Sequence, residues 1–219
     1  MTATRGGILA AVRSALGGER ADPGAVAAEA ATLLREPGLI RPQLPDRSLV
    51  DLFAERVSHP RVGATVERVA TMADLPVAVR RYLDVHGLPS AVALQPAPEL
   101  RQLDWSGLEL HATMAPDEPV GVGLADHGIA EGGTLVVRSG PTTPILSNFL
   151  PLHHVVALRA GTIVAHLEDY AAVAAGLPPP RNLVLITGAS GTTDIEGSYV
   201  RGAHGPGYLH VVIVGDGAA

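Results

Sequence analysis

An α/β domain built on a largely parallel, buried sheet is the fold this sequence predicts. Three observations predict it. From residue 63 onward, short apolar runs alternate with helical patterns, the order that builds parallel sheets flanked by helices. Hydrophobic residues make up 47% of the 219 positions and charged residues 17%, enough to bury a sizeable core and too apolar for disorder. The apolar run Leu183–Ile186 opens abruptly into Thr187–Thr193, a loop of small and hydroxylated residues, where an α/β fold usually places its ligand.

Residues 1–62 read as a helical segment distinct from the α/β domain at 63–219. Ile8, Leu9, Val12 and Leu16 share one helix face, and Gly17-Gly18 stops that helix. Asp22-Pro23 supplies an N-cap with proline in the first turn, opening an Ala-rich helix to about Arg35. Pro37, Pro42 and Pro45 form a linker. Ser48 to Asp51 reads as a capping box for a third helix ending near Ser58.

Within 63–219, Ala64–Ala70 is a strand and Asp74–Val85 a helix closed by Gly87. Ser90–Leu94 and Leu108–Thr113 are strands. Pro119–Leu124 and Thr134–Arg138 are strand-like runs flanking a loop, Ala125–Gly133. His153–Leu158 is a strand, Thr162–Ala175 a helix, and Leu183–Ile186 and Leu209–Val214 strands. Pro178-Pro179-Pro180 marks a helix end. No internal repeat is present.

Composition removes several function classes. Aromatic residues are 3% of the chain and the formal net charge is −6, a poor match for stacking on single-stranded nucleic acid or for anionic phosphate backbones and membranes. There is no cysteine, hence no disulfide, thiol nucleophile or cysteine-ligated iron–sulfur cluster in this chain. All sixteen basic residues are arginine. Codon bias is the plain cause, and whatever the cause, a lysine Schiff base and a P-loop lysine are excluded. No apolar run approaches the length of a membrane span. The amino terminus reads as an amphipathic helix rather than a signal peptide, which makes the cytoplasm the expected location.

Three constellations carry chemical content. In Thr187 to Glu196, backbone amides of a Gly-containing turn can form an anion nest, and a following helix N-terminus would add its dipole. The hydroxyls of Ser190, Thr192 and Thr193 suit phosphate or carboxylate oxygens. The competing reading is a plain capping box, Thr193 to Glu196, with Asp194 between. Neither GxGxxG nor GK[ST] occurs, so dinucleotide and Walker-type binding lack support. In Ala125 to Thr134, Asp126, His127 and Glu131 lie close together beside glycines. Glu131 there is accessible as a nucleophile or general base, against a polar turn whose acids cap backbone groups. His204, in a His-Gly-Pro turn, is a general acid/base candidate, or a turn histidine bonding a nearby carbonyl. No His-x-x-x-His or Glu-x-x-His spacing supports a metal site.

These segments together resemble the LUD-domain family. The matching signatures are Gly-Ile-Ala-Glu131-Gly-Gly-Thr134-Leu-Val-Val, Pro151-Leu-His-His154-Val-Val, Ile186-Thr-Gly-Ala-Ser-Gly-Thr-Thr-Asp194-Ile-Glu196, His204-Gly-Pro206 and Leu209-His210-Val-Val. Their order and spacing cover about residues 120–214. The helix Arg5–Leu16 also fits the family's usual start. The resemblance implies a NagB/RpiA/CoA-transferase-like α/β fold. It also implies a part in oxidising L-lactate to pyruvate, beside two partner proteins that carry the iron–sulfur clusters. Two departures stand out. Gly132 replaces the usual threonine after the acidic residue. Ala189, Gly191 and Thr193 replace a proline, a basic residue and an alanine in the later loop, and the lost basic side chain weakens anion binding there.

The sequence therefore predicts a soluble, cofactor-free component of a lactate-oxidising system, docking to iron–sulfur partners and possessing a site for a small anionic ligand. Its candidate ligand residues are Glu131, Gly133, Thr134, Thr187, Gly188, Ser190, Thr192, Asp194, Glu196 and His204. Glu131 and His204 are the catalytic candidates. Glu131, Asp194, Glu196 and His204 are expected to converge at the carboxyl ends of the strands. The alternatives are a stand-alone acyl-CoA or sugar-phosphate enzyme of the CoA-transferase-like class and an interaction scaffold.

Overall fold

A computed structural model describes residues 4–16, 22–35, 38, 41–111, 113–193 and 197–215. The chain divides into two compact units, 1–41 and 42–219. The first holds helices α1 (Arg5–Ala15) and α2 (Pro23–Arg35). Thr4 caps α1 through Gly7 N–H, and Asp22 caps α2 by accepting from Ala25 N–H at 2.9 Å, as the Asp-Pro pair predicts.

The second unit is organised by six parallel strands: β1 (Thr65–Val69), β2 (Ala91–Leu94), β3 (Glu109–His111), β4 (Val120–Leu124), β7 (His153–Arg159) and β12 (Tyr208–Val214). They lie in the order β1-β12-β7-β4-β2-β3. Register runs directly across the centre, Val120↔His153 and His153↔Tyr208. The α/β class with a mainly parallel sheet is thus the one the sequence predicts.

Alternation along the central strands splits the core in two. Val155, Ala157, Val212 and Val214 face helix α4 (Leu75–His86), whose Leu75, Val79, Tyr82 and Leu83 pack against them. Val156, Leu158, Leu209, Val211 and Ile213 face the other way, toward helix α3 (Leu49–Val57) and its Leu52, Phe53 and Val57. Burial on both faces explains why these strands lack polar alternation. On the α3 side lies a second, four-stranded sheet, ordered β8-β5-β6-β9, from β5 (His127–Ile129), β6 (Thr134–Arg138), β8 (Ile163–Val164) and β9 (Leu183–Ile186). Leu135 points from it into the α3 cluster. Ile129 and Val136 point outward to Tyr170 of helix α6 (Leu167–Ala175).

Several local expectations change. Ala125–Gly133 is not simply a loop: it contains β5, antiparallel to β6 and parallel to β8. The buried Gly128 lets β5 lie against Leu158 and Phe53, and this packing outweighs its weak strand propensity. The helix expected from Thr162 begins only at Leu167, because Ile163 and Val164 are committed to pairing with β5. Ser48 precedes α3 but makes no side-chain cap, and Asp51 instead pairs with Arg68 of β1 at 2.7 Å. Leu183–Ile186 joins the second sheet, antiparallel to β6, rather than the parallel one.

Candidate functional site

The carboxyl ends of β2, β4 and β7, together with the end of β6, enclose a cavity of about 310 Å³. That lies at the lower end of the range for ligand pockets, roughly 300–1,000 Å³. Gln95 follows β2 directly and is 3% exposed. Its N–H donates to Val122 O, its Oε1 accepts from Leu124 N–H at 3.0 Å, and its Nε2 donates to Thr143 Oγ1 at 3.1 Å. Gln95 therefore ties two strand ends to the turn Gly140–Thr143, which forms part of the cavity wall.

Arg138 ends β6 and Asp126 follows β4 by two residues; both line the cavity. Backbone pairing sets them close, since Asp126 N–H donates to Val136 O at 2.8 Å. Arg138 donates from one terminal nitrogen to the Pro178 carbonyl, while its buried Nε finds no hydrogen-bond partner among the described residues. Asp126 Oδ2 lies 2.9 Å from Nδ1 of His127. Behind them stands Tyr170, whose buried hydroxyl likewise lacks a partner among the described residues. Burial raises the Tyr170 pKa, the Asp126 charge raises it further and Arg138 opposes. Both charges thus act on one buried hydroxyl. Arg159 and Glu99 pair at the rim, half exposed, where an ion pair contributes little.

The motif residues gather elsewhere, and the opening of β1 and β12 shows where. Ala189 N–H donates to Val62 O, and Ser190 N–H to Pro206 O at 2.8 Å. Val62 precedes β1 and Pro206 precedes β12, so the Thr187–Ser190 loop lies at the amino ends of the parallel strands. That corrects the expected placement. No helix opens after the loop either: Gly191–Thr193 (β10) forms an antiparallel hairpin with Tyr199–Arg201 (β11), which removes the helix dipole from the anion-nest reading. Asp194 and Glu196 lie outside the described residues.

The structure does bring the two motif segments together. Thr134 Oγ1 and Thr187 Oγ1 are 2.7 Å apart. Gly133 has φ +64, and a Cβ there would stand 2.5 Å from Val57 N; Gly188 has φ +86, and a Cβ would stand 2.1 Å from Val62 O. Both glycines let the chain turn left-handed against α3 and the segment after it. One oxygen of Glu131 accepts from Leu167 N–H at 2.9 Å, the position of a capping acid at the start of α6. Thr192 sits half-buried within β10, and His204 is exposed in the turn before Pro206.

At the same edge, on the α4 face, aromatic rings stack. His153 lies on Tyr208 with centroids 4.3 Å apart, and its Nδ1 meets Tyr82 Oη at 2.9 Å. His210 Nδ1 meets Thr65 Oγ1 at 2.7 Å. Burial pushes Tyr82 up to about 12, with Tyr208 adding to it. Burial pushes His210 down to about 4, helped by His86, and lowers His153 for the same two reasons. His154, on the opposite face, is pushed down to about 4 by burial alone. Among the described residues no group of three or more His, Asp or Glu side chains is gathered to hold a metal ion.

Residues 117–214, from the approach to β4 through the end of β12, match the family described as the LUD domain. This part of the chain is similar to the LUD domain. It contains Asp126, Arg138 and the Thr134–Thr187 contact, whereas Gln95 comes from β2, outside the matched span. Several relatives carry the name lactate utilization protein C, among them the three that follow. The one from Geobacillus sp. (strain WCH70) is 33% identical over 44% of this chain and 42% of its own length. The one from Deinococcus radiodurans is 36% identical over 48% and 50%. The one from Geobacillus thermodenitrificans is 26% identical over 75% and 72%. The chain spans about half the length of the first two. A crystal structure of a DUF162 family protein from Deinococcus radiodurans superposes with a TM-score of 0.56 at 21% identity, covering 78% of this chain and 99% of that one. The fold of that protein is shared. No helix among the described residues is long and apolar enough to cross a membrane.

Proposed function

We propose that this chain is a cluster-free component of an L-lactate utilization system, acting beside two iron–sulfur partner proteins that carry electrons from L-lactate on its way to pyruvate. The observation that carries the reading is the LUD match together with relatives named lactate utilization protein C. A chain without cysteine supplies no thiolate for a cluster of its own, which supports assigning the electron transfer to partners. The cavity beside Arg138 and Asp126 supports a role that includes binding a small polar molecule.

Reconstitution tests it. The two iron–sulfur partners from the same source are combined with and without this chain, and L-lactate-dependent reduction of an artificial acceptor is followed. The expected result is a rate that falls to background when the chain is omitted. Equal rates with and without it overturn the reading.

A further inference from the structure

We propose that the two amino-terminal helices are a self-association element: α1 of one chain packs on α2 of a second copy, and α2 on that copy's α1, about a two-fold axis. The inference stands apart from the lactate-utilization reading and from the carboxyl-edge cavity.

The inference begins from helix faces left open. In α1, Ile8, Leu9, Val12 and Leu16 form one stripe and are 53%, 41%, 49% and 77% exposed. The helix buries no residue at all. It has eleven residues, two of them Gly6 and Gly7, and an isolated helix below about 12–15 residues is marginal in water. Such a helix is held by packing of its apolar face. Helix α2 repeats the pattern. Val26, Ala30 and Leu33 recur at helical spacing, and every described side chain of α2 is exposed, Val26 at 52% and Leu33 at 56%. Neither stripe covers the other within one chain, since both stay exposed.

Charge names the occupant. Arg5 heads the α1 stripe, Arg13 borders it four residues after Leu9, and the helix has no acidic residue. The α2 stripe is bordered by acid: Glu29 lies three residues after Val26 and four before Leu33, and Asp22 caps the helix. Arg5, Arg13 and Glu29 enter no ion pair among the described residues. Each stripe therefore carries the border charge that complements the other. Bulk is complementary as well, since α1 offers branched side chains and α2 a surface rich in alanine. A second copy supplies both stripes at once. One helix pair is small against the roughly 1,200 Å² that a stable interface buries, and a two-fold axis makes each contact twice. The product is a four-helix arrangement. A partner of one charge sign, such as an anionic lipid surface, attracts the α1 border and is repelled by Glu29 and Asp22.

Sedimentation equilibrium of the full chain tests this. A dimer, twice 22.5 kDa, is expected, with a dissociation constant on the order of 10 μM. Val12→Glu and Leu33→Glu are each expected to weaken it at least about tenfold. Both positions are exposed in the chain, so the folded monomer tolerates either change. Arg13→Glu and Glu29→Arg are each expected to weaken the dimer about fivefold, by setting like charges across both contacts. An equimolar mixture of those two variants is expected to recover the unsubstituted constant within about twofold, because each contact of the mixed dimer again joins opposite charges. Packing of α1 on α2 inside one chain cannot produce that rescue. A folded chain that stays monomeric up to about 100 μM overturns the proposal. Co-sedimentation of that monomer with phosphatidylglycerol vesicles would assign the stripes to a membrane surface instead. A dimer that ignores Val12→Glu and Leu33→Glu, or a mixture that associates no better than either charge variant alone, overturns it equally.

Discussion

The two edges of the parallel sheet use polar residues in opposite ways. At the amino edge, Thr134, Thr187, Gly188 and Ser190 are short side chains and backbone groups whose bonds go to other parts of the same chain. At the carboxyl edge, Arg138 and Asp126 line a cavity with Tyr170 buried behind them, and the buried Arg138 Nε and Tyr170 Oη are unpartnered among the described residues. The amino edge carries the glycines and hydroxyls that attract attention in a sequence, yet several of them are there because two backbones approach closely. Density of small polar residues marks tight packing as readily as it marks a pocket.

The largest expected effect breaks the amino edge. Gly188→Ala forces a Cβ to within 2.1 Å of Val62 O at φ +86. It is expected to cost about 4 kcal/mol, or to prevent folding, in urea denaturation. A loss below about 1 kcal/mol would mean that the loop repacks freely and the contrast between the edges is false.

Next in size is acid sensitivity at the same edge. His210 titrates near 4 when folded and near 6.5 when unfolded. Between those values the unfolded chain binds the extra proton, so stability is full above pH 6.5 and is lost as pH falls toward 4, by at most on the order of 3 kcal/mol. His154 adds a loss of the same sign over the same window. Urea midpoints at pH 7 and 4.5 measure it, and His210→Gln is expected to flatten the dependence. A slope unchanged by that substitution would place the acid sensitivity elsewhere.

Two small effects sharpen the comparison. Thr134→Val removes an exposed hydroxyl pair and is expected to cost about 0.5–1 kcal/mol. Tyr170→Phe, at the carboxyl edge, removes a buried hydroxyl without a partner among the described residues. Its stability is expected to stay unchanged or to rise by up to about 1 kcal/mol. A clear loss would show that the hydroxyl has a structural bond and that the carboxyl edge is as fully satisfied as the other.

The frame of the fold was legible because its signals are local. Asp22-Pro23 caps α2, and the runs at Ala64–Ala70, His153–Leu158 and Leu209–Val214 are strands. What stayed hidden depends on distant partners. β5 is short and glycine-bearing, and it is a strand only because β6 and β8 bracket it. The Thr187 loop has the local sequence of a helix entrance, and nothing local distinguishes that from a hairpin whose other strand begins at Tyr199. The cavity draws Gln95, Asp126, Arg138 and Thr143 from segments up to 48 positions apart, Gln95 to Thr143, which no spacing rule joins. Arg138 did leave a trace: it is a charged residue closing the apolar strand Thr134-Leu-Val-Val.

The family match stops short of the folding unit. Residues 117–214 omit β1, β2, β3 and α4, which flank both sides of the central strands and cover one face. A truncated chain starting at 117 would lay bare two raw hydrogen-bonding edges, on β4 and β12, and the valines that α4 shields. Such a fragment is a template for cross-strand polymerisation. Anyone grafting this domain into a fusion or a shortened expression product must carry the preceding segment with it, or expect inclusion bodies.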